Sequence, residues 1–254
     1  MSDVPSFDLT GRVAVVTGGS RGLGRAIAQA FAAAGADVVV ASRKLDACET
    51  AAREIAERTG RTAVPIRCHV GHWDECDELI EGTLRRFGRI DVLVNNAGMS
   101  PLYDRLADVT EELYDKTLAV NLKGPFRLGV LACTRMAEQG GGSVINIGTI
   151  GSLLASPAEL PYACAKAGLN ALTAGLAEAF APKVRVNAIL PGAFDTDVTE
   201  AWTDAMRSGS YVPLGRIGRP DEIVGAALYL ASDAASYTTG ATIRVDGGLT
   251  RRVG

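Results

Sequence analysis

Short β-branched runs alternate along this chain with stretches whose apolar residues return every three to four positions. Arg12 to Val16 is the first such run, with almost no polar interruption. A strand of that kind suits a parallel sheet covered on both faces. Leu23, Ala26, Ile27, Ala30, Phe31 and Ala34 then recur at helical spacing, and Gly35 closes that helix. Asp37 to Ala41 predicts a second strand, Asp46 to Arg58 a second helix and Thr62 to Cys68 a third strand. Cys76, Leu79, Ile80, Thr83, Leu84 and Phe87 form one helical face, and Ile90 to Val94 is a fourth strand. Two helices are expected over Glu111 to Glu138, ended by Gly140, Gly141 and Gly142. A strand over Ser143 to Ile147, a helix over Tyr162 to Phe180 and a strand over Val184 to Leu190 continue the alternation. A helix over Ile223 to Leu230 and a short strand over Ala241 to Val245 complete it. Strands alternating with helices of this length imply βαβ units, hence a doubly wound parallel sheet with helices on both faces. The stretch from Asp197 to Gly218 is poorly patterned, and a loop that long inside a compact domain is usually functional.

The chain has 254 residues, 47% of them hydrophobic and 22% charged, with no linker or shift in composition between its halves. That balance predicts a single α/β domain over 1–254. No apolar run is long enough to span a membrane, and the N-terminus lacks the basic start and apolar stretch of a signal peptide. A cytoplasmic protein is the expectation. The net charge is −3 without blocks of one sign, which argues against nucleic acid as a main partner. Cys48, Cys68, Cys76, Cys133 and Cys164 are scattered and without CxxC spacing. They read as small buried residues in a reducing compartment. His69 and His72 are the only histidines and have no ligand-spaced partners, so no metal is expected.

The first turn after a strand reads Thr17-Gly18-Gly19-Ser20-Arg21-Gly22-Leu23-Gly24. Its spacing is GxxxGxG rather than the commoner GxGxxG, but the physics carries over. Gly18 permits a tight turn, Gly22 lets the backbone approach a pyrophosphate, and Gly24 lets the helix sit close to the sheet. Ser20, Arg21 and Leu23 complete the turn, and the helix start offers free N–H groups to an anion. An NAD site usually carries Asp or Glu at the end of the second strand. Here that end is Ser42, Arg43 and Lys44, while Asp37 lies at the opposite end. Arg21 and Arg43 suit a 2′-phosphate, since guanidinium forks match phosphate geometry. NADP(H) is therefore the expected cofactor, with NAD(H) the alternative.

Tyr162 and Lys166 stand four residues apart on a predicted helix, so phenol and ammonium share one face. A nearby cation favours the phenolate of a tyrosine that otherwise titrates near ~10. Taken in order, the glycine turn, Asn95-Asn96-Ala97-Gly98, Asn121, Tyr162 with Lys166, and Pro191-Gly192-Ala193-Phe194-Asp195-Thr196 resemble the short-chain dehydrogenase/reductase family. The likeness runs along essentially the whole chain and takes in Thr239-Gly240 and Asp246-Gly247-Gly248. It implies a Rossmann-type domain, usually a homotetramer, with a dimer as the lesser alternative. It also implies that Tyr162 is the acid/base and that Lys166 lowers its pKa and binds the nicotinamide ribose. By the same likeness Asn121 anchors a water leading to Lys166, and Asn96, Ala97 and Gly98 pack beside the adenine-ribose half. Pro191, Gly192, Phe194 and Thr196 then hold the nicotinamide.

Two positions depart from the family pattern. Where the family usually has a catalytic serine stands Thr149, which keeps the hydroxyl on a stiffer side chain. Ser152 is the other candidate. The third strand often ends in an Asp that contacts adenine; here it ends Cys68-His69-Val70, so His69 and Val70 take that place. The expected reaction is hydride transfer between NADP(H) and a carbonyl or secondary alcohol. A nucleotide-binding sensor or scaffold of the same fold is the alternative. Substrate identity is open. Leu102, Tyr103, Leu153 and Leu154 are candidate pocket residues, and Trp202, Met206 and Tyr211 suggest an apolar lid. Lys123, Arg127 and Arg135 either greet an acidic carrier protein or form a solvated helix face.

Overall fold

The computed structural model describes residues 6–197, 199 and 202–250. Seven strands form one sheet in the order β3-β2-β1-β4-β5-β6-β7, every neighbouring pair parallel. They are β1 (Val13–Thr17), β2 (Asp37–Ser42), β3 (Ala63–Arg67), β4 (Val92–Asn95), β5 (Gly142–Ile147), β6 (Val184–Pro191) and β7 (Thr242–Val245). The helices are α1 (Gly22–Ala33), α2 (Leu45–Thr59), α3 (Trp73–Phe87), α4 (Glu111–Leu118), α5 (Gly124–Glu138), α6 (Leu160–Phe180), α7 (Asp204–Ser208) and α8 (Val224–Ala231). Among the described residues no helix is long and apolar enough to cross a membrane.

The uninterrupted apolar strands are explained by two cores, one on each face. Ala14, Val16, Val38 and Val40 point toward α1, α2 and α8, where Ile27, Phe31, Ile55 and Leu230 meet them. Val15 and Val39 point the other way, toward Leu79, Leu128, Met136 and Leu176 of α3, α5 and α6. Every second residue changes face, so a strand buried twice needs both sets apolar. Phe31, Ile27 and Leu128 are fully buried, each side chain stabilising by roughly 1.5–3 kcal/mol.

Three differences from the predicted elements have physical causes. α6 begins at Leu160 rather than Tyr162, with Pro161 in its first turn, where a missing N–H costs nothing. The stretch predicted as two helices is one unbroken path, α4 and α5 joined by a π-helical segment over Ala119–Lys123. Apolar periodicity does not distinguish such a bulge from a plain helix, though π-bulges favour functional sites. Within the segment from Asp197 to Gly218, α7 forms a short turn capped by the Thr203 hydroxyl. Positions 198, 200 and 201 of that segment lie outside the described residues. Cys48, Cys68, Cys76 and Cys133 are buried free thiols, whereas Cys164 is exposed on α6, contrary to expectation.

Candidate active site

The sheet order reverses direction between β1 and β4, and in open α/β sheets ligands settle outside the carboxyl ends of the strands at that point. Thr17, the last residue of β1, ties the two strands together there. Its hydroxyl accepts from Asn96 N (3.0 Å) and Ala97 N (3.1 Å) and donates to Val94 O (3.1 Å). The Asn96 amide donates to Thr17 O at 2.9 Å and Gly18 O at 3.3 Å, so Asn96 braces the glycine turn from the side. Gly18 has φ +64°, and a Cβ there would stand 2.7 Å from Asn96 Nδ2. A Cβ on Gly24 would stand 2.4 Å from both Asn96 Nδ2 and the Gly18 carbonyl. Gly22, at φ +53°, faces the Thr196 side chain, whose Cγ2 a Cβ there would meet at 3.5 Å.

This turn fits a dinucleotide phosphate. α1 starts with Arg21 in extended conformation, no side chain caps its N–H groups, and no acid stands in its first turn. An anion is the natural partner for such a terminus. At the end of β2, Ser20 Oγ donates to Ser42 Oγ at 3.1 Å, so hydroxyls stand where an NAD site has a carboxylate. Asp37 is engaged at the far end with Arg61 (2.9 Å). Arg21 is engaged too, with Asp197 at 2.8 Å, joining the glycine turn to the segment after β6. Arg43 and Lys44 have no carboxylate partner among the described residues.

His69 and Val70 follow β3. The His69 ring stacks on His72 with centroids 4.2 Å apart, and its Nδ1 accepts from Gly71 N at 3.2 Å. Burial, His72 and Arg43 push the His69 ring below its usual pKa. Val70 is buried and packs by its carbonyl against Gly124. His69 and His72 edge a surface cavity of about 1020 Å³ that also includes Trp73, Leu118, Phe126 and Leu172.

The second set of residues gathers at the end of β5 and the start of α6. Lys166 is buried, and its Nζ donates to Ile147 O at 2.7 Å and stands 5.8 Å from the Tyr162 ring centroid. Burial brings the Lys166 ammonium down to about 8. Burial raises the Tyr162 phenol to about 12, the Glu159 carboxylate adds to this, and a hydrogen bond with Thr149 opposes it. Asn121 sits in the π segment, donating to Met99 O (2.8 Å) and Thr117 O (2.9 Å) and accepting from Met99 N (3.2 Å). Asn121 and Lys166 approach the same glycine: a Cβ on Gly98 would stand 2.9 Å from Asn121 Oδ1 and 3.7 Å from Lys166 Nζ.

The two candidate hydroxyls are unlike. Ser152 Oγ donates to Thr149 O at 2.6 Å and accepts from Asn170 at 3.0 Å, so its proton is committed to the loop. Thr149 Oγ1 accepts from Gly151 N at 3.1 Å and meets Tyr162. Beneath them a buried relay runs from Asn95 to Asn146 (2.9 Å) and from Asn146 to Thr173 (2.9 Å), locking β4, β5 and α6 together. Asn95 belongs to the motif read in the sequence, but its link to Asn146 and Thr173 is not legible there, because the relay exists only once three elements meet.

Beyond β6, Phe194 is buried, packs with the core and lies against Gly218. Pro191 ends β6, and Gly192 lies close on Asp246, where a Cβ would stand 2.7 Å from the Asp246 Cα. The Tyr103 hydroxyl donates to Pro157 O (2.6 Å) and accepts from Leu160 N (2.8 Å), docking its segment onto α6. Leu102, Leu153 and Leu154 remain exposed. Arg127 grips Asp77 with two bonds (2.5 and 2.7 Å) and Arg135 pairs with Glu138 (3.0 Å), so these cations are not a free row for an acidic carrier.

Comparison with known proteins agrees with this arrangement. The family model described as enoyl-(acyl carrier protein) reductase matches residues 18–250. An L-rhamnose 1-dehydrogenase (NAD(P)(+)) of Azotobacter vinelandii is 40% identical over 250 residues, covering 95% of this chain and 97% of its own. A 3-oxoacyl-(acyl-carrier-protein) reductase of Thermotoga maritima is 36% identical over 244 residues, covering 95% and 98%. Among solved structures, a putative NAD(P)-dependent gluconate 5-dehydrogenase from Beutenbergia cavernae with bound NADP superposes with TM-score 0.91 at 36% identity, covering 96% and 99%. The chain belongs to the short-chain dehydrogenase/reductase family, and its relatives are oxidoreductases acting between CH–OH and C=O.

Proposed function

We propose that the protein transfers a hydride between NADP(H) and a carbonyl or secondary alcohol, with Tyr162 as acid/base. The observation that carries this reading is the convergence of Thr149, Tyr162 and Lys166 at the end of β5, with only β4 between it and the strand that leads into the glycine turn. The glycine turn, Ser20, Ser42 and Arg43 would hold the dinucleotide, whose nicotinamide supplies the hydride when bound. Tyr162 holds a proton at its phenol oxygen, and burial keeps it there in the free enzyme, ready for a substrate oxygen that gains charge. Thr149, bonded to Tyr162, directs its hydroxyl at the same oxygen. Lys166 keeps a cation beside the phenol, which favours the phenolate left after proton transfer. Its bond to Ile147 O fixes the ammonium in place. NADP(H) over NAD(H) is supported by the hydroxyls at the end of β2 and by Arg43.

The test is loss of NADPH absorbance against a panel of ketones and aldehydes, with the dissociation constant of NADPH measured in parallel. Tyr162→Phe is expected to lower turnover about 10²–10⁴-fold, the usual worth of a positioned acid/base. Tight NADPH binding with no turnover on any substrate would establish the sensor or scaffold reading instead.

A further inference from the structure

Glu159 is the one acidic residue in the turn that leads into α6, and neither the phosphate turn nor the proton-transfer residues need it. It lies three residues before Tyr162, at the N-cap of α6, near enough for its charge to act on the phenol. Its Oε1 lies over the Gly151 Cα, so closely that a Cβ on Gly151 would stand 2.8 Å from it. Gly151 in turn donates its N–H to the Thr149 hydroxyl. The carboxylate is thus built into the wall of the space that Thr149 and Tyr162 face.

It has no donor there. Among the described residues no Lys, Arg or His pairs with Glu159, and no side chain or amide hydrogen-bonds to its carboxylate. It stands at the N-cap of α6, yet its side chain makes no capping hydrogen bond. Half burial raises its pKa, and its charge works against ionisation of Tyr162. The carboxylate is half-buried with its oxygens open to water, so a substrate donor can take the place of that water. Leu153 and Leu154, which follow Ser152 in the same loop, are exposed and bring no polar group.

We propose that Glu159 is a specificity-determining residue that accepts a hydrogen bond from a hydroxyl next to the substrate's reacting carbon, because its carboxylate faces the Thr149–Tyr162 space with no donor of its own. The substrate class is then a polyhydroxylated carbonyl or alcohol of the sugar kind, not a plain ketone or an acyl chain without donors. This inference rests on the oxidoreductase reading above. A carboxylate at this place also selects against substrates with a negative charge beside the carbonyl.

The experiment compares 2-hydroxycyclohexanone with cyclohexanone as NADPH-dependent substrates of the full chain. The parent is expected to favour the hydroxylated ketone in kcat/KM by at least about tenfold, the worth of one hydrogen bond to a charged acceptor. Glu159→Leu should cut that ratio by about tenfold or more, while Glu159→Gln, which keeps an acceptor oxygen, retains a larger part of it. Melting temperature and NADPH affinity of each variant show whether the fold and the cofactor site survive. If Glu159→Leu does not fold, the parent's ratio and the Gln variant still decide. A parent with no preference for the hydroxyl overturns the inference, as does a ratio that Glu159→Leu leaves unchanged. Turnover of neither ketone, nor of an aldose and its deoxy analogue in the oxidative direction, overturns it together with the oxidoreductase reading.

Discussion

The turn after β1 and the loop after β5 lie at the same end of one sheet, yet they are built in opposite ways. In the first, Thr17 and Asn96 spend their polar atoms on backbone, and glycines fill positions where a Cβ would strike a carbonyl or an amide. In the second, Thr149 and Ser152 are held by short local bonds, while Leu153 and Leu154 are exposed and Glu159 has no hydrogen-bond or ion-pair partner among the described residues. The first region has almost no freedom to vary without moving backbone. The second can change side chains without disturbing the sheet. One scaffold can therefore keep a constant nucleotide grip and exchange the substrates it handles.

The sharpest way to break this comparison is at Thr149, which hydrogen-bonds Tyr162. Thr149→Val keeps the shape and removes the donor, which should lower turnover about a hundredfold or more, as for other lost donors to a developing oxyanion. Thr149→Ser should stay within about tenfold, since only χ1 freedom changes. Ser152→Ala should cost no more than about tenfold, the net worth of one hydrogen bond, because its proton already belongs to the Thr149 carbonyl. A dead Ser152→Ala beside an active Thr149→Val would reverse the assignment.

A second test sets the two regions side by side. Gly24→Ala brings a methyl within 2.4 Å of the Gly18 carbonyl, and such overpacking costs about 1–3 kcal/mol. NADPH affinity should fall tenfold or more, read by titration. Leu154→Ala, on an exposed side chain, should leave that affinity within about twofold. Equal losses at both positions would show that the loop also grips the nucleotide.

The smallest expected effect concerns cofactor choice. NADPH should bind at least about tenfold tighter than NADH, a difference of about 1.4 kcal/mol, and Arg43→Ala should erase most of it. Arg21→Ala should matter less, because Asp197 already occupies that guanidinium. Equal affinities in the parent protein would end the argument from Arg43.

The strands were legible because a parallel sheet demands apolar residues at every position, and runs such as Val13 to Val16 can do little else. The pairing of Tyr162 with Lys166 was legible for a similar reason: both sit on one helix, where spacing alone sets proximity. What escaped depended on contacts between elements. Ser152 and Thr149 look alike as residues, and only Asn170 and the Thr149 carbonyl separate them. Phe194 follows Pro191 and Gly192 in sequence, but its contact with Gly218 comes only from the fold. Glu159 could not be read at all, since its meaning comes from Gly151.

The π segment between α4 and α5 is one residue longer per turn than its flanks. It acts as a phase shift. α5 meets the sheet with Leu128, Ala132 and Met136, and the wider turn lets this face be set independently of the one α4 presents. Asn121 sits at the shift itself, its amide divided between the Met99 carbonyl outside the helix and the Thr117 carbonyl of α4. Deleting one residue there would restore regular winding and rotate everything on one side by about 100° relative to the other. The core of α5 and the aim of Asn121 could not then both be kept, so the length of this stretch is as much a part of the site as the asparagine.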